Sequence, residues 1–251
     1  MIWHIARREL RGYLHAPFSY VVSAAFLFIA GVFWALVLDS YAQLAGQAEM
    51  YGMTDFGMLE GVIQPFVSTL GLLLVLFMPV VTMRVLSDEQ GGGAMALLLS
   101  SPVSSTQVVL GKWLGLWAFF GGLLGVGLLY VPATLYFFGD PPLAPLLTAL
   151  LGVVLLTGLG SALGVMAAAL SSSQILAAVI SWAGLMALWI LSFLASSDGI
   201  LQPLGQMIGL MNHMEAFGQG LLKSNDLVWF GSLTALFLFV AQQRVESHRW
   251  R

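Results

Sequence analysis

Six stretches of the chain, at about residues 18–38, 62–83, 113–138, 145–170, 175–195 and 227–241, hold no Asp, Glu, Lys, Arg or His and are almost wholly apolar. About 20 apolar residues carry a helix through the hydrocarbon of a bilayer, so all but the last cross comfortably, and the last crosses with snorkelling flanks or local thinning. Membrane barrel strands would alternate at period two over about ten residues, whereas these runs are continuous, so helices are expected. Only 8% of the 251 residues are charged and 59% are hydrophobic, far from the roughly 25% charged residues of an ordinary soluble domain. The expectation is an all-α integral membrane protein, one domain over residues 1–251, with six transmembrane helices. Arg7, Arg8 and Arg11 ahead of the first run resemble a signal-peptide n-region, but the run exceeds the apolar core of about 7–15 residues that such a peptide carries, so it is read as a retained span.

Six crossings put both termini on one side. Arg7, Arg8, Arg11, Arg84, Lys112, Arg244, Arg249 and Arg251 then share that side, and only Lys223 lies opposite. By the positive-inside rule the termini are cytoplasmic, as is the largest inner loop, between the second and third spans. The opposite face holds Asp39, Glu49, Asp55, Glu60, Asp140, Asp198, Glu215 and Asp226.

Three segments do not span. The N-terminal IWHIARRELRGYLHAPF mixes Trp3, Ile5 and Leu10 with cations and stops at Pro17, which suits an interfacial elbow helix with its cations near anionic headgroups. Residues 196–226 are broken by Gly199, Pro203, Gly205, Gly209, Gly218 and Gly220, and read as re-entrant or interfacial helices on the outer face. Within the spans, Gly111 and Gly115, Gly121 and Gly125, and Gly160 and Gly164 recur at the spacing that lets helices approach closely, while Pro79 and Pro132 are expected to kink their helices.

The residue inventory excludes much chemistry. Without cysteine there is no disulfide framework, thiolate nucleophile or cysteine metal site. Spans free of ionisable groups disfavour a proton- or ion-driven transporter. No phosphate-binding loop exists: the only Gly-Lys pair, Gly111-Lys112, is followed by Trp113 and not by the hydroxyl that would hold Mg²⁺, so any energy from ATP enters through another chain. Gly91 to Gly93 read as a hinge. Ser161 with His213 is set aside as a serine-protease dyad, because small residues around a membrane serine signal packing and His213, on the outer loop, has no fixed partner in the sequence. Met50, Met53, Met58, Met207, Met211, His213 and Met214 could offer soft ligands to Cu(I), with Met207, Met211 and Met214 on one helical face, but methionine filling irregular apolar surface is the preferred reading.

Two stretches carry a family resemblance: RRELRGYLHAPFSY near the start, and MRVLSDEQGGGAMALLLSSPVSSTQVVLGKW after the second span. They are similar to the elbow segment and the loop of ABC-2 type permeases, most closely the gliding-motility-type permease subunit of bacteria. The resemblance implies that this loop is the coupling helix docking on an ATPase subunit: Arg84, Asp88 and Glu89 start it, Gly92 and Gly93 turn it, and Ser101, Pro102 and Val103 end it. Arg7, Arg8, Glu9 and Arg11 fall on the elbow helix. Family members carry basic residues after the glutamate and an acidic residue before the LLL run, where this chain has Gln90, Gly91 and Ala94 to Ala96, so a less charged contact is expected.

What the resemblance implies is a non-enzymatic permease of the bacterial inner membrane, expected to act as an exporter, with ATP and Mg²⁺ bound by a separate ATP-binding subunit and none of its own cofactors. Its partners would be that subunit, a second copy or related permease, and lipid, with no nucleic acid. The charge-free spans point to an apolar or amphipathic cargo. A non-transporting envelope scaffold and a copper exporter built on Met207, Met211, His213 and Met214 are the alternatives.

Overall fold

The computed structural model describes residues 1–50, 57–85, 104–138, 143–171, 173–195 and 202–247. In chain order they form α1 (Ile2–His15), α2 (Pro17–Met50), a π-helical turn (Leu59–Ile63) leading into α3 (Gln64–Thr82), α4 (Ser105–Gly127), α5 (Tyr130–Phe138), α6 (Leu143–Leu170), α7 (Gln174–Leu194), α8 (Gln202–Ile208), α9 (Leu210–Gly218) and α10 (Ser224–Ser247). Among the described residues there is no strand, and six helical stretches are long and apolar enough to cross a membrane: Pro17–Gln47, Leu59–Thr82, Ser105–Phe137, Leu143–Leu170, Gln174–Leu194 and Ser224–Ser247. The sequence-based architecture is therefore observed.

Helix α6 is the centre, touching α3, α4, α7, α9 and α10. It is apolar around its whole circumference, as a helix enclosed by others must be. Lipid tails are as apolar as leucine, so close fit and hydrogen bonding, more than burial itself, hold such a bundle together. Glycines supply the fit: a Cβ at Gly160 would stand 2.6 Å from Met78 Sδ, and one at Gly152 would stand 2.8 Å from Phe217 Cβ. Hydrogen bonds fasten α4 to α6, since Trp113 Nε1 donates to the Gly158 carbonyl at 2.9 Å and Trp117 Nε1 to that of Val154 at 3.0 Å, with the two indoles stacked 5.1 Å apart. By contrast α2, α7 and α10 turn most of their apolar surface outward, an arrangement stable only where lipid is the solvent.

The structure departs from the sequence reading in three places. Helix α2 does not stop near residue 38 but runs to Met50, so Asp39 and Glu49 sit on a helical extension and not in a loop; residues 39–50 contain no proline, are rich in helix formers, and gain an i,i+4 bond from Gln43 Nε2 to Asp39 Oδ2 at 2.8 Å. The third span starts at Ser105, eight residues before the apolar run, and breaks between α4 and α5. That break lies where Pro132 leaves the Leu128 carbonyl without its helical donor, and the Val131 N–H takes that carbonyl instead at 3.0 Å. Of the paired glycines, Gly121 and Gly125 meet nothing within 4 Å among the described residues, so their spacing marks no close approach to any of those residues.

Candidate functional site

The ends of α3 and α4 bracket residues 86–103, the segment singled out in the sequence, and the structure shows what each end is fastened to. Helix α1 begins the arrangement. It ends where Ala16 turns extended (φ −79°, ψ 120°) ahead of Pro17, the backbone that a following proline enforces. That break lets α1 fold back along the start of α4, where Gly111 and Gly115 form a side-chain-free track. A Cβ at Gly111 would lie 2.7 Å from Ile5 Cβ, and one at Gly115 would lie 2.7 Å from Glu9 Cβ and 2.8 Å from the Ala6 carbonyl oxygen. Glycine suits both places because the Ile5 side chain fills the space at Gly111 and the Ala6 carbonyl with the Glu9 Cβ fills it at Gly115.

This close approach delivers Glu9 to Lys112. The lysine side chain is fully buried, and its Nζ donates to Glu9 Oε1 at 3.0 Å and to the Val85 carbonyl oxygen at 2.8 Å. A buried ammonium persists only when its charge is matched and its protons are placed on acceptors, and both conditions are met here. Val85 is the last described residue before the bracketed segment, so one cation ties the elbow, the exit of α3 and the second turn of α4 together.

The other end of the segment is fastened as well. Ser104 caps α4, its hydroxyl accepting from the Gln107 N–H at 3.3 Å, and Ser105 Oγ donates to Glu246 Oε2 of α10. On the opposite flank the Arg84 guanidinium lies 4.2 Å over the Phe18 ring, a cation–π contact between the end of α3 and the start of α2. A cavity of about 200 Å³ lies between Glu9, Tyr13, Phe18 and Arg84.

Of the elbow residues, Glu9 faces inward while Arg7, Arg8 and Arg11 are exposed, Arg8 reaching Glu9 at 3.4 Å. Of the loop residues only Arg84 is described; Asp88, Glu89, Gly92, Gly93, Ser101, Pro102 and Val103 lie outside the described residues. Lys112 was missed as a site residue, having been read as a loop flank. The signal that could have found it is a lone lysine one turn inside a helix whose glycines at 111 and 115 announce a close neighbour.

At the far end of the bundle the structure corrects a sequence expectation. His213 does have a fixed partner: its Nδ1 lies 2.6 Å from Asp226 Oδ1, its Nε2 lies 3.2 Å from the Met207 carbonyl oxygen, and the ring stacks on Trp229 at 4.3 Å. Both groups are buried, and the pair ties α9 to the start of α10. Ser161 is engaged elsewhere, donating to the Gly158 carbonyl at 2.9 Å. The methionine face is not formed either. Gly209 breaks the chain between α8 and α9 in an extended conformation, Met207 points outward from α8, and Met214 is buried on α9. Among the described residues no three His, Asp or Glu side chains converge as a metal site would require.

One protein-family model, described as ABC-2 family transporter protein, matches residues 3–240. No curated protein matches the chain.

Proposed function

The chain belongs to the ABC-2 family of transporter proteins, and from that premise we propose that it is the permease subunit of an exporter driven by ATP hydrolysed in a separate subunit. The elbow and loop sequences resemble those of the gliding-motility-type subunit, and that subtype is part of the proposal. In this reading two permease chains pair in the bacterial inner membrane with their termini in the cytoplasm, and residues 84–103 dock on the ATP-binding subunit, which supplies nucleotide and Mg²⁺. Closure of that subunit would pull on the docked segment, and a rigid path is needed to turn the pull into a change of access on the opposite side.

The observation that supports it is the double anchoring of the segment. The described residues at its two ends, Val85 and Ser105, meet α1, α4 and α10 through Lys112, Glu9 and Glu246, so a pull that reaches those ends passes to three helices together. The bundle provides no ionisable pathway of its own along the uncharged runs, in keeping with energy that arrives from a partner.

The test uses the permease and its ATPase reconstituted together. Glu89→Lys should uncouple hydrolysis from transport while leaving expression intact, and Gly92→Pro should do the same by stiffening the hinge. Full transport in both variants would refute the docking role.

A further inference from the structure

At the far end of the bundle, opposite the elbow, a cavity of about 660 Å³ opens between the start of α3, the end of α7 and α9. Its wall combines groups that no packing role absorbs. Among the described residues Glu215 is the only charged one lining it, and one carboxylate oxygen accepts from Gln219 Nε2 at 3.1 Å while the side chain stays exposed. Across from it stand Trp189 and Phe193, two aromatic rings in an edge-to-face pair with centroids 5.0 Å apart. Gln64, Ser68, Thr69, Ser192 and Asn212 complete the polar part, and of these the Gln64 and Ser68 side chains hydrogen-bond to no other described residue.

A carboxylate across a cavity from aromatic rings, with no cation among the described wall residues to neutralise it, is a recognition set for an ammonium group. Amide and hydroxyl donors nearby suit phosphate oxygens. From the same mouth an apolar stripe descends α7 at helical spacing through Phe193, Ile190, Trp182 and Val179, each about half exposed or more. A cavity that carries a carboxylate and other polar groups on a largely apolar wall, continuous with an exposed apolar stripe, matches a molecule with one polar and one hydrocarbon end. We propose that this cavity binds the ammonium headgroup of a phospholipid whose acyl chains lie along α7. That the lipid is cargo rests on the transport reading; that the cavity binds it does not.

The test is retention of lipid by the full-length chain, extracted from vesicles of equal parts phosphatidylethanolamine and phosphatidylglycerol and read by native mass spectrometry. The expected result is retention of phosphatidylethanolamine over phosphatidylglycerol by about tenfold, the value of one well-placed ammonium contact. Glu215→Gln should remove that preference and Trp189→Leu most of it, with unchanged melting temperatures, while Asp39→Asn, on the extension of α2, should keep it. Equal retention of the two lipids, or a preference that survives Glu215→Gln, overturns the site. So does a finding that Glu215→Gln and Trp189→Leu split a dimer without altering lipid retention, which would make the cavity wall a contact between copies. Because no ATPase takes part, a failed coupling experiment leaves this result standing, and the reverse also holds.

Discussion

Lys112 Nζ stands 3.0 Å from Glu9 Oε1 and 2.8 Å from the Val85 carbonyl oxygen, so a single buried ammonium joins the elbow, the third span and the exit of the second. The pair connects residues 103 positions apart in sequence and sits at the root of the proposed docking segment.

Lys112→Met should therefore strand Glu9 and leave the Val85 carbonyl without its donor. The expected loss is about 2 kcal/mol, below the value for a fully enclosed pair because Glu9 keeps some solvent contact. Melting of the purified chain in detergent measures it, and the double variant with Glu9→Gln should recover part of the loss. Equal melting of Lys112→Met and the unaltered chain would remove the cation from the account.

Substitution of the glycines should separate by position. Gly115→Ala places a methyl 2.7 Å from Glu9 Cβ and 2.8 Å from the Ala6 carbonyl oxygen, so the elbow must shift and stability should fall. Gly121→Ala meets nothing within 4 Å, and its better helix propensity, up to about 1 kcal/mol, should leave the chain as stable as before or more so. Thermal melts of the two variants side by side decide between these outcomes; a larger loss at 121 than at 115 contradicts the observed packing.

The His213–Asp226 pair should act as a clasp between α9 and α10. His213→Phe keeps the stacking on Trp229 but leaves Asp226 buried and unpaired, which favours opening of the far end. The chain has no cysteine, so Met214→Cys introduces a single reporter at a buried site. Maleimide should label it slowly alone and faster when His213→Phe is added, with Asp226→Leu slowing it again. Identical rates throughout would mean that the clasp bears no load.

The distribution of basic residues predicts cytoplasmic termini. Lys223→Cys should react with a membrane-impermeant maleimide on intact spheroplasts, whereas Trp3→Cys should react only after lysis. The opposite pattern would invert the docking face and with it the proposed partner.

The spans were legible because each is an uninterrupted apolar run, and the elbow because Pro17 dictates where α1 must end. The extension of α2 to Met50 was missed because hydropathy registers lipid and not helix propensity, although residues 39–50 favour a helix. Lys112 was assigned to the loop because it precedes the uncharged run by one residue. Only tertiary structure brings Glu9 to it. The partner of His213 was hidden for a similar reason: a turn at Gly220, with φ 82°, reverses the chain before Asp226, and sequence spacing alone does not reveal which residues face each other after such a reversal. Glycine spacing told where close contacts are possible but not what fills them, as Gly115 and Gly121 show.

If this chain transmits force from an ATPase, that ATPase should leave the membrane with it. Gentle extraction of the tagged chain from its native membranes, identification of the proteins that come with it and assay of their ATP hydrolysis decide the matter. The expected result is a co-purifying P-loop ATPase whose activity changes when Glu9 and Lys112 are exchanged for neutral residues. Absence of any ATPase across several detergents, or an activity indifferent to those exchanges, would contradict it.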